Sequence, residues 1–254
     1  MDTNKNTYTI IYATILVVIV AALLAIVSLS LKGVQDTNVE VEKQMQILGS
    51  AALAKDAKSA PSKNKYVQDE FAKYITKAFI VDAQGNVVEE FNSDIVKTEP
   101  FKISPKEQYE IMKKIEGGDE SAKAQLKLPV YICTTPDATK VILSCYGQGL
   151  WGPIWGYMSL SEDLTTIEGI LFDHESETPG LGAEIATEKF QSQFNGKTIL
   201  KDGVVSPVKI VKGGVKNPEN EVDAVSGATV TSTKVEDMIT MWLKYYQPYI
   251  NAKK

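Results

Sequence analysis

Hydrophobic and polar positions follow three regimes along this chain. From Tyr8 to Leu31, "YTIIYATILVVIVAALLAIVSLSL", no position carries a charge. As a helix this run reaches about 36 Å, enough to cross a hydrocarbon core of about 30 Å. It predicts one N-terminal transmembrane helix, with tail and span covering 1–34. A secretory signal would need a shorter apolar region, a more basic start and a small-residue cleavage site. Asp2 and Lys5 before the span and Lys32 after it leave its orientation open by charge alone.

In the second regime, "VEVEKQMQILGSAALA" has a short helical pattern. "KDAKSAPSKNK", Lys55 to Lys65, has the composition of a solvated linker. Residues 35–66 are therefore predicted as helix and linker, and 67–254 as a soluble domain.

The third regime alternates short apolar runs with turns. "ITKAFIVD" and "VVEEF" flank "AQGN" as a hairpin, and strands are predicted at Val130 to Thr134 and Lys140 to Cys145 around "TPDAT". "SPKEQYEIMKKIEGG" predicts a helix with Ser104 as N-cap, Pro105 in the first turn, Glu107 completing a capping box and Gly117 at its end. Further strand-like runs are "YMSLS", "IEGILFD", "KTILK" and "VKIVKGGV". Near the C-terminus Val235, Met238, Ile239, Trp242, Leu243 and Tyr246 recur at helical spacing, with Thr233 and Glu236 as a second capping box. Strands and helices without a regular βαβ rhythm give an α+β domain, an antiparallel or mixed sheet with flanking helices.

The composition narrows the chemistry. With 254 residues, 44% of them apolar, the chain can bury a sizeable core. A net charge of −5 argues against a nucleic-acid partner. All 27 basic residues are lysine, so the bidentate guanidinium clamp for phosphates is missing. A phosphate would have to be held by backbone N–H groups, hydroxyls, lysine or a covalent bond. Cys133, Cys145 and the single His174 are too few for a Cys/His metal site. The two cysteines read as buried thiols or as a cross-strand disulfide. No catalytic residue or metal set is assigned.

Three glycine-rich segments remain. "GQGLWGPIWG", Gly147 to Gly156, can bring backbone close to a flat ligand and cover its face with Leu or Trp, or it is a tight turn with buried aromatics. "ESETPGLGAEI", Glu175 to Ile185, holds a type II turn signal at Pro179-Gly180 and a second bare position at Gly182. "DAVSGATVTSTKVEDM", Asp223 to Met238, stands at the start of the last helix. Thr231, Ser232 or Thr233 would cap it, and a helix N-terminus stabilises phosphate. Capping leaves Asp223, Ser226 and Thr229 unexplained.

"DAVSGAT" resembles the flavin-attachment motif of the FMN-binding domain family, whose final threonine is esterified to the FMN phosphate. "GLWGPIWG" and "ETPGLGAE" resemble that family's other signatures, in the same order and behind a similar anchor. The resemblance covers nearly the whole chain and points to the anchored flavin subunits of sodium-translocating NADH:quinone reductase complexes. It implies covalent FMN on Thr229, with Asp223, Ser226, Gly227 and Ala228 in the motif read by a flavin transferase that uses FAD as donor. It further implies that Glu177, Thr178, Gly180, Leu181 and Gly182 line the isoalloxazine, with Leu150 and Trp151 as ring contacts. The flavin would relay single electrons between an iron–sulfur centre and another flavin. The implied partners are the other subunits, the transferase and the lipid bilayer, with the soluble domain on the periplasmic side of the bacterial inner membrane. The related Rnf complex has a similar anchored subunit, but that group reads "GYGGPI" where this chain has "GLWGPIWG" and is shorter in the middle. A third reading is an anchored binding or assembly module without covalent flavin, Thr229 being part of a cap.

Overall fold

The computed structural model describes residues 6–201 and 204–253. Its residues form two compact units, Met1–Lys43 and Gln44–Lys254. The first is the N-terminal part of helix α1 (Asn6–Ser50), long and apolar enough to cross a membrane. Its apolar side chains from Ile10 to Leu31 are exposed, as a lipid-facing helix requires. Asp2 and Lys5 lie outside the described residues.

The units divide inside α1, whereas the linker composition lies further on, at Lys55 to Lys65. The reason is burial, since Ile47, Leu48 and Ser50 are inaccessible in the second unit and join the last turns of α1 to it. Gln46 accepts from Trp155 Nε1 at 3.1 Å and donates to Asp173 Oδ2 at 2.9 Å. The lysine-rich stretch is also ordered, as a 3-10 turn (Lys55–Lys58) and the start of α2 (Lys63–Tyr74).

The chain then runs through β1 (Ile75–Val81), β2 (Val87–Phe91), α3 (Glu99–Lys102), α4 (Pro105–Glu116), β3 (Leu128–Thr134), β4 (Thr139–Gln148), β5 (Pro153–Ser161) and β6 (Ile167–His174). The six strands form one antiparallel sheet in the order β2-β1-β3-β4-β5-β6. The predicted first hairpin is present, with Gly85 at φ 87° in its turn. Ser104 caps α4 as predicted, accepting from Glu107 N.

After the sheet come α5 (Glu188–Gln191), β7 (Leu200–Lys201), β8 (Val204–Val205), β9 (Lys209–Val211), β10 (Glu221–Asp223) and α6 (Thr229–Ala252). β9 and β10 pair in parallel and deliver the chain to the N-terminus of α6.

Side chains alternate across a strand, so the sheet has two apolar faces. Val141, Leu143 and Cys145 of β4 share a core with Trp242, Leu243 and Tyr246 of α6. Two polar contacts fix α6 on that face, Trp242 Nε1 to Tyr146 O at 2.7 Å and the Tyr246 hydroxyl to Pro129 O at 2.8 Å. On the other face Tyr131 donates to Pro100 O of α3, and Phe101 meets Phe71 of α2 edge to face. The architecture is α+β, as expected.

Register settles the cysteines. Cys133 lies opposite Lys140 and Cys145 opposite Gly156. Since 140 and 145 differ by an odd number along β4, the two thiols point to opposite faces. Both are free and buried.

Candidate functional site

The hairpin joining β4 to β5 places Gly149, Leu150, Trp151 and Gly152 at the end of the sheet, closed by Gly149 N to Gly152 O at 2.8 Å. The aromatic of this turn is not buried: Trp151 is 66% exposed and Leu150 48%. β6 ends beside it at His174. Past that end, Leu181 N donates to Thr178 O and Gly180 has φ 74°, which makes Thr178–Leu181 the type II turn its Pro-Gly pair predicts.

Glu177 holds these segments together. It is 4% exposed, and each carboxylate oxygen accepts from a different segment. Trp151 N donates to Oε1 at 2.9 Å, and the Thr231 hydroxyl of α6 donates to Oε2 at 2.7 Å. Its own N–H donates to His174 Nδ1 at 3.3 Å, which puts the ring proton of a neutral His174 on Nε2. Hydrogen bonds to a charged group contribute about 1.5–3 kcal/mol each, so this one side chain fixes the hairpin turn against the helix.

The motif glycines follow from that carboxylate. A Cβ on Gly149 would lie 2.5 Å from Glu177 Oε1, and one on Gly182 would lie 2.2 Å from Oε2 and 2.7 Å from Thr231 Oγ1. A Cβ on Gly152 would meet Ser176 Oγ at 2.1 Å, the hydroxyl that donates to Trp151 O. Close approach to a flat ligand was the sequence expectation for such glycines. Here three of them make room for internal polar contacts.

The third segment differs from its predicted capping. α6 begins at Thr229, its N-cap is Ala228, and no side chain caps it. Thr233 and Glu236, predicted as a capping box, lie inside the helix. Glu236 instead accepts from Ile210 N at 2.7 Å and Lys209 Nζ at 3.0 Å, tying β9 to α6. Ser232 reaches back and accepts from Val225 N at 3.0 Å. Thr229 is therefore the first residue of the helix, half-buried at an N-terminus whose first N–H groups have no intrahelical acceptor.

The rest of the motif is displayed around Thr229. Asp223 ends β10, and its backbone is gripped by Gln193, whose Oε1 accepts from Asp223 N at 2.8 Å and whose Nε2 donates to Asp223 O at 3.4 Å. Ser226 and Gly227 are exposed, Gly227 with φ 76°. Leu181 lies against Gly227, its Cδ2 2.9 Å from where a Cβ would stand. A cleft of about 550 Å³ runs along the motif, lined by Gly180, Lys189, Phe190, Gln193, Asp223 and Ser226. Among the described residues no group of three His, Cys, Asp or Glu side chains could hold a metal ion.

The structure thus joins all three segments, with Glu177 and Thr231 at the junction. Sequence reasoning assigned no role to Gln193 or to the Thr231–Glu177 contact. Thr231 and Ser232 were visible only as possible caps, and Gln193 left no signal at all.

The fit to FMN can be judged on these residues. An uncapped helix N-terminus suits a phosphate, and Thr229 puts a hydroxyl there in a chain without arginine. Leu150, Trp151, Leu181 and Val230 are large apolar side chains left 43–66% exposed, the kind of surface that covers a flat ring. The residues fit the group.

Comparison with known proteins gives the same direction. Residues 149–244 match the sequence model of the FMN-binding domain. The C subunit of Na(+)-translocating NADH-quinone reductase from Haemophilus ducreyi is 29% identical over 256 residues, covering 98% of this chain and 94% of that protein. The protein of that name from Pasteurella multocida is 39% identical over 118 residues, 46% of this chain and 45% of its own length. Among solved structures, the one from Parabacteroides distasonis superposes with a TM-score of 0.68 at 31% identity, covering 87% of this chain and 96% of that one. NqrC of Shewanella oneidensis, at 24% identity and a TM-score of 0.62, shares the fold.

Proposed function

Because this chain belongs to the NqrC family of Na(+)-translocating NADH-quinone reductase subunits, we propose that Thr229 carries FMN through a phosphoester. The chain serves as an electron-transfer subunit of that oxidoreductase complex, anchored by its N-terminal span. The observation that carries the attachment reading is the position of Thr229 as the first residue of α6, next to an Ala228 with no capping group.

Attachment uses FAD and a separate flavin transferase. The Thr229 hydroxyl oxygen forms a bond to the FMN phosphorus, the pyrophosphate bond of FAD breaks, AMP leaves and the hydroxyl proton is released. Asp223, Ser226 and Gly227 form the exposed approach to that hydroxyl, and Gly227 turns the chain where a side chain would press on Leu181. The free first-turn N–H groups of α6 would hold the attached phosphate, and the helix dipole would favour its charge.

Bound FMN supplies one-electron chemistry; the protein supplies position and surroundings. Leu150, Trp151 and Leu181, large apolar side chains left exposed at the site, would hold the ring and shield it from water, with the turn at Thr178 and Gly180 beside them. Glu177 and Gly182 would act on it indirectly, through their contacts with Trp151 and Thr231. No acid or base is needed for electron transfer itself. Sodium movement belongs to the assembled complex, since one apolar helix without an intramembrane charge has no ion path. The soluble domain lies on the periplasmic side of the inner membrane, where the transferase meets it, and its other partners are the remaining subunits.

Co-expression with a flavin transferase tests the reading. A denatured wild-type band fluorescent under ultraviolet light, with a dark Thr229→Ala band, is the expected result. Two dark bands, with a control substrate labelled, would move the function to an anchored binding module.

A further inference from the structure

Glu177 lies among residues expected to line the flavin, yet both of its oxygens already accept from the protein itself. Oε1 takes the Trp151 N–H and Oε2 takes the Thr231 hydroxyl. Two glycines from two different segments, Gly149 and Gly182, leave room for those oxygens. Thr231 is two residues after Thr229, in the same first turn of α6. The contact therefore locates the N-terminal turn of α6, where Ala228 gives no capping help. The same carboxylate locates the backbone of Trp151, whose side chain is the most exposed apolar group of the site.

We propose that Glu177 is a positioning residue that sets the Thr229 hydroxyl and the Leu150–Trp151 turn at a fixed spacing, so that one end of a bound flavin is registered against the other. Helix start and hairpin turn are far apart in sequence and belong to different elements. A buried side chain with two acceptors is what couples them. Spacing matters because small misplacement of a reacting hydroxyl is costly to a transfer step. The proposal deepens the Thr229 reading and rests on it for the flavin readout, but not for the exchange readout below.

The substitution Glu177→Gln separates geometry from charge. A carboxamide can accept from Trp151 N–H with its oxygen and donate to Thr231 Oγ1 with its nitrogen, so both contacts have a neutral replacement. Glu177→Ala loses both.

Amide hydrogen exchange on the flavin-free full chain is the first readout. In Glu177→Ala, the amide of Trp151, which donates to the carboxylate, and that of Ser232, which donates to Ala228 O in the first turn of α6, should exchange at least about tenfold faster, while Tyr157 in β5 keeps its protection. Glu177→Gln should restore most of it. Transfer kinetics with FAD and the transferase are the second. Glu177→Ala should lower kcat at least about tenfold without raising KM for the chain, because Asp223, Ser226 and Gly227 remain displayed, and Gln should recover most of the rate. If Glu177→Ala fails to fold, Thr231→Val removes only the helix contact and should shift α6 exchange and kcat the same way.

Unchanged exchange at Trp151 and in the first turn of α6 would overturn the proposal. So would a rise in KM alone, or equal losses in Gln and Ala, which would make charge rather than position the cause. If wild type takes no covalent flavin, the Thr229 reading fails and the exchange result decides this one by itself.

Discussion

The Thr231 hydroxyl donates to Glu177 Oε2 at 2.7 Å, and the space for that contact exists because residue 182 has no side chain. A Cβ there would stand 2.2 Å from the same oxygen, closer than any packed contact permits. Neither partner can yield easily, since Glu177 is buried and Thr231 is on the helix.

Gly182→Ala should therefore destabilise the domain by about 1–3 kcal/mol through overpacking. Urea unfolding of the variant against wild type measures it. Gly180→Ala is the contrast: no atom lies within 4 Å of its would-be Cβ, and its positive φ alone is strained. A smaller loss at 180 than at 182 is expected.

Trp151→Ala should change stability by no more than about 0.5 kcal/mol, because the side chain is 66% exposed and its backbone contact to Glu177 survives. Covalent attachment should persist as well. On the proposed placement of the ring, the flavin absorbance spectrum or midpoint potential should shift, because Trp151 would be one of its covers. Redox titration identical to wild type would take Trp151 out of the ring's surroundings.

Ser232 and Thr233 exchange the importance their sequence suggests. Ser232 is buried and accepts from Val225 N at 3.0 Å, so Ser232→Ala strands a backbone donor of the motif at a cost of about 1–3 kcal/mol. Thr233→Ala, at an exposed position inside the helix, should cost less than about 0.5 kcal/mol. Thermal unfolding of the two variants side by side decides whether the Ser232 contact to Val225 or the capping box suggested at Thr233 carries the stability.

That reversal shows what could be read from the residues and what could not. The Ser104–Pro105 start of α4, the Gly85 hairpin and the Pro179-Gly180 turn were legible because each is set by neighbours within four residues. The apolar stripe of α6 was legible for the same reason. Its starting point was not, because Ala228 contributes nothing to it and the fixing contacts come from Glu177, 54 residues away. Motif resemblance placed Thr229 and the glycines at one site. It could not show that Gly149, Gly152 and Gly182 clear space for Glu177 and Ser176, since that depends on how three distant segments meet.

The buried thiols and phenols give the fold an alkaline limit. Burial raises Cys133 to about 11 and Cys145 to about 12, from an ordinary value of 9.0. It raises Tyr249 to about 12 and pushes Tyr157 and Tyr246 upward as well. Each group has a folded pKa above its unfolded one, so its contribution is complete below the unfolded value. Above that, the unfolded chain releases protons that the folded one retains, and stability falls with pH until the folded pKa is passed. The melting temperature should hold to about pH 9 and then decline steadily towards pH 12. A disulfide-exchange reagent at pH 8 should leave both cysteines unmodified until urea unfolds the domain, because the buried thiols carry almost no thiolate there. Rapid labelling of the folded protein at pH 8 would contradict the burial of both side chains.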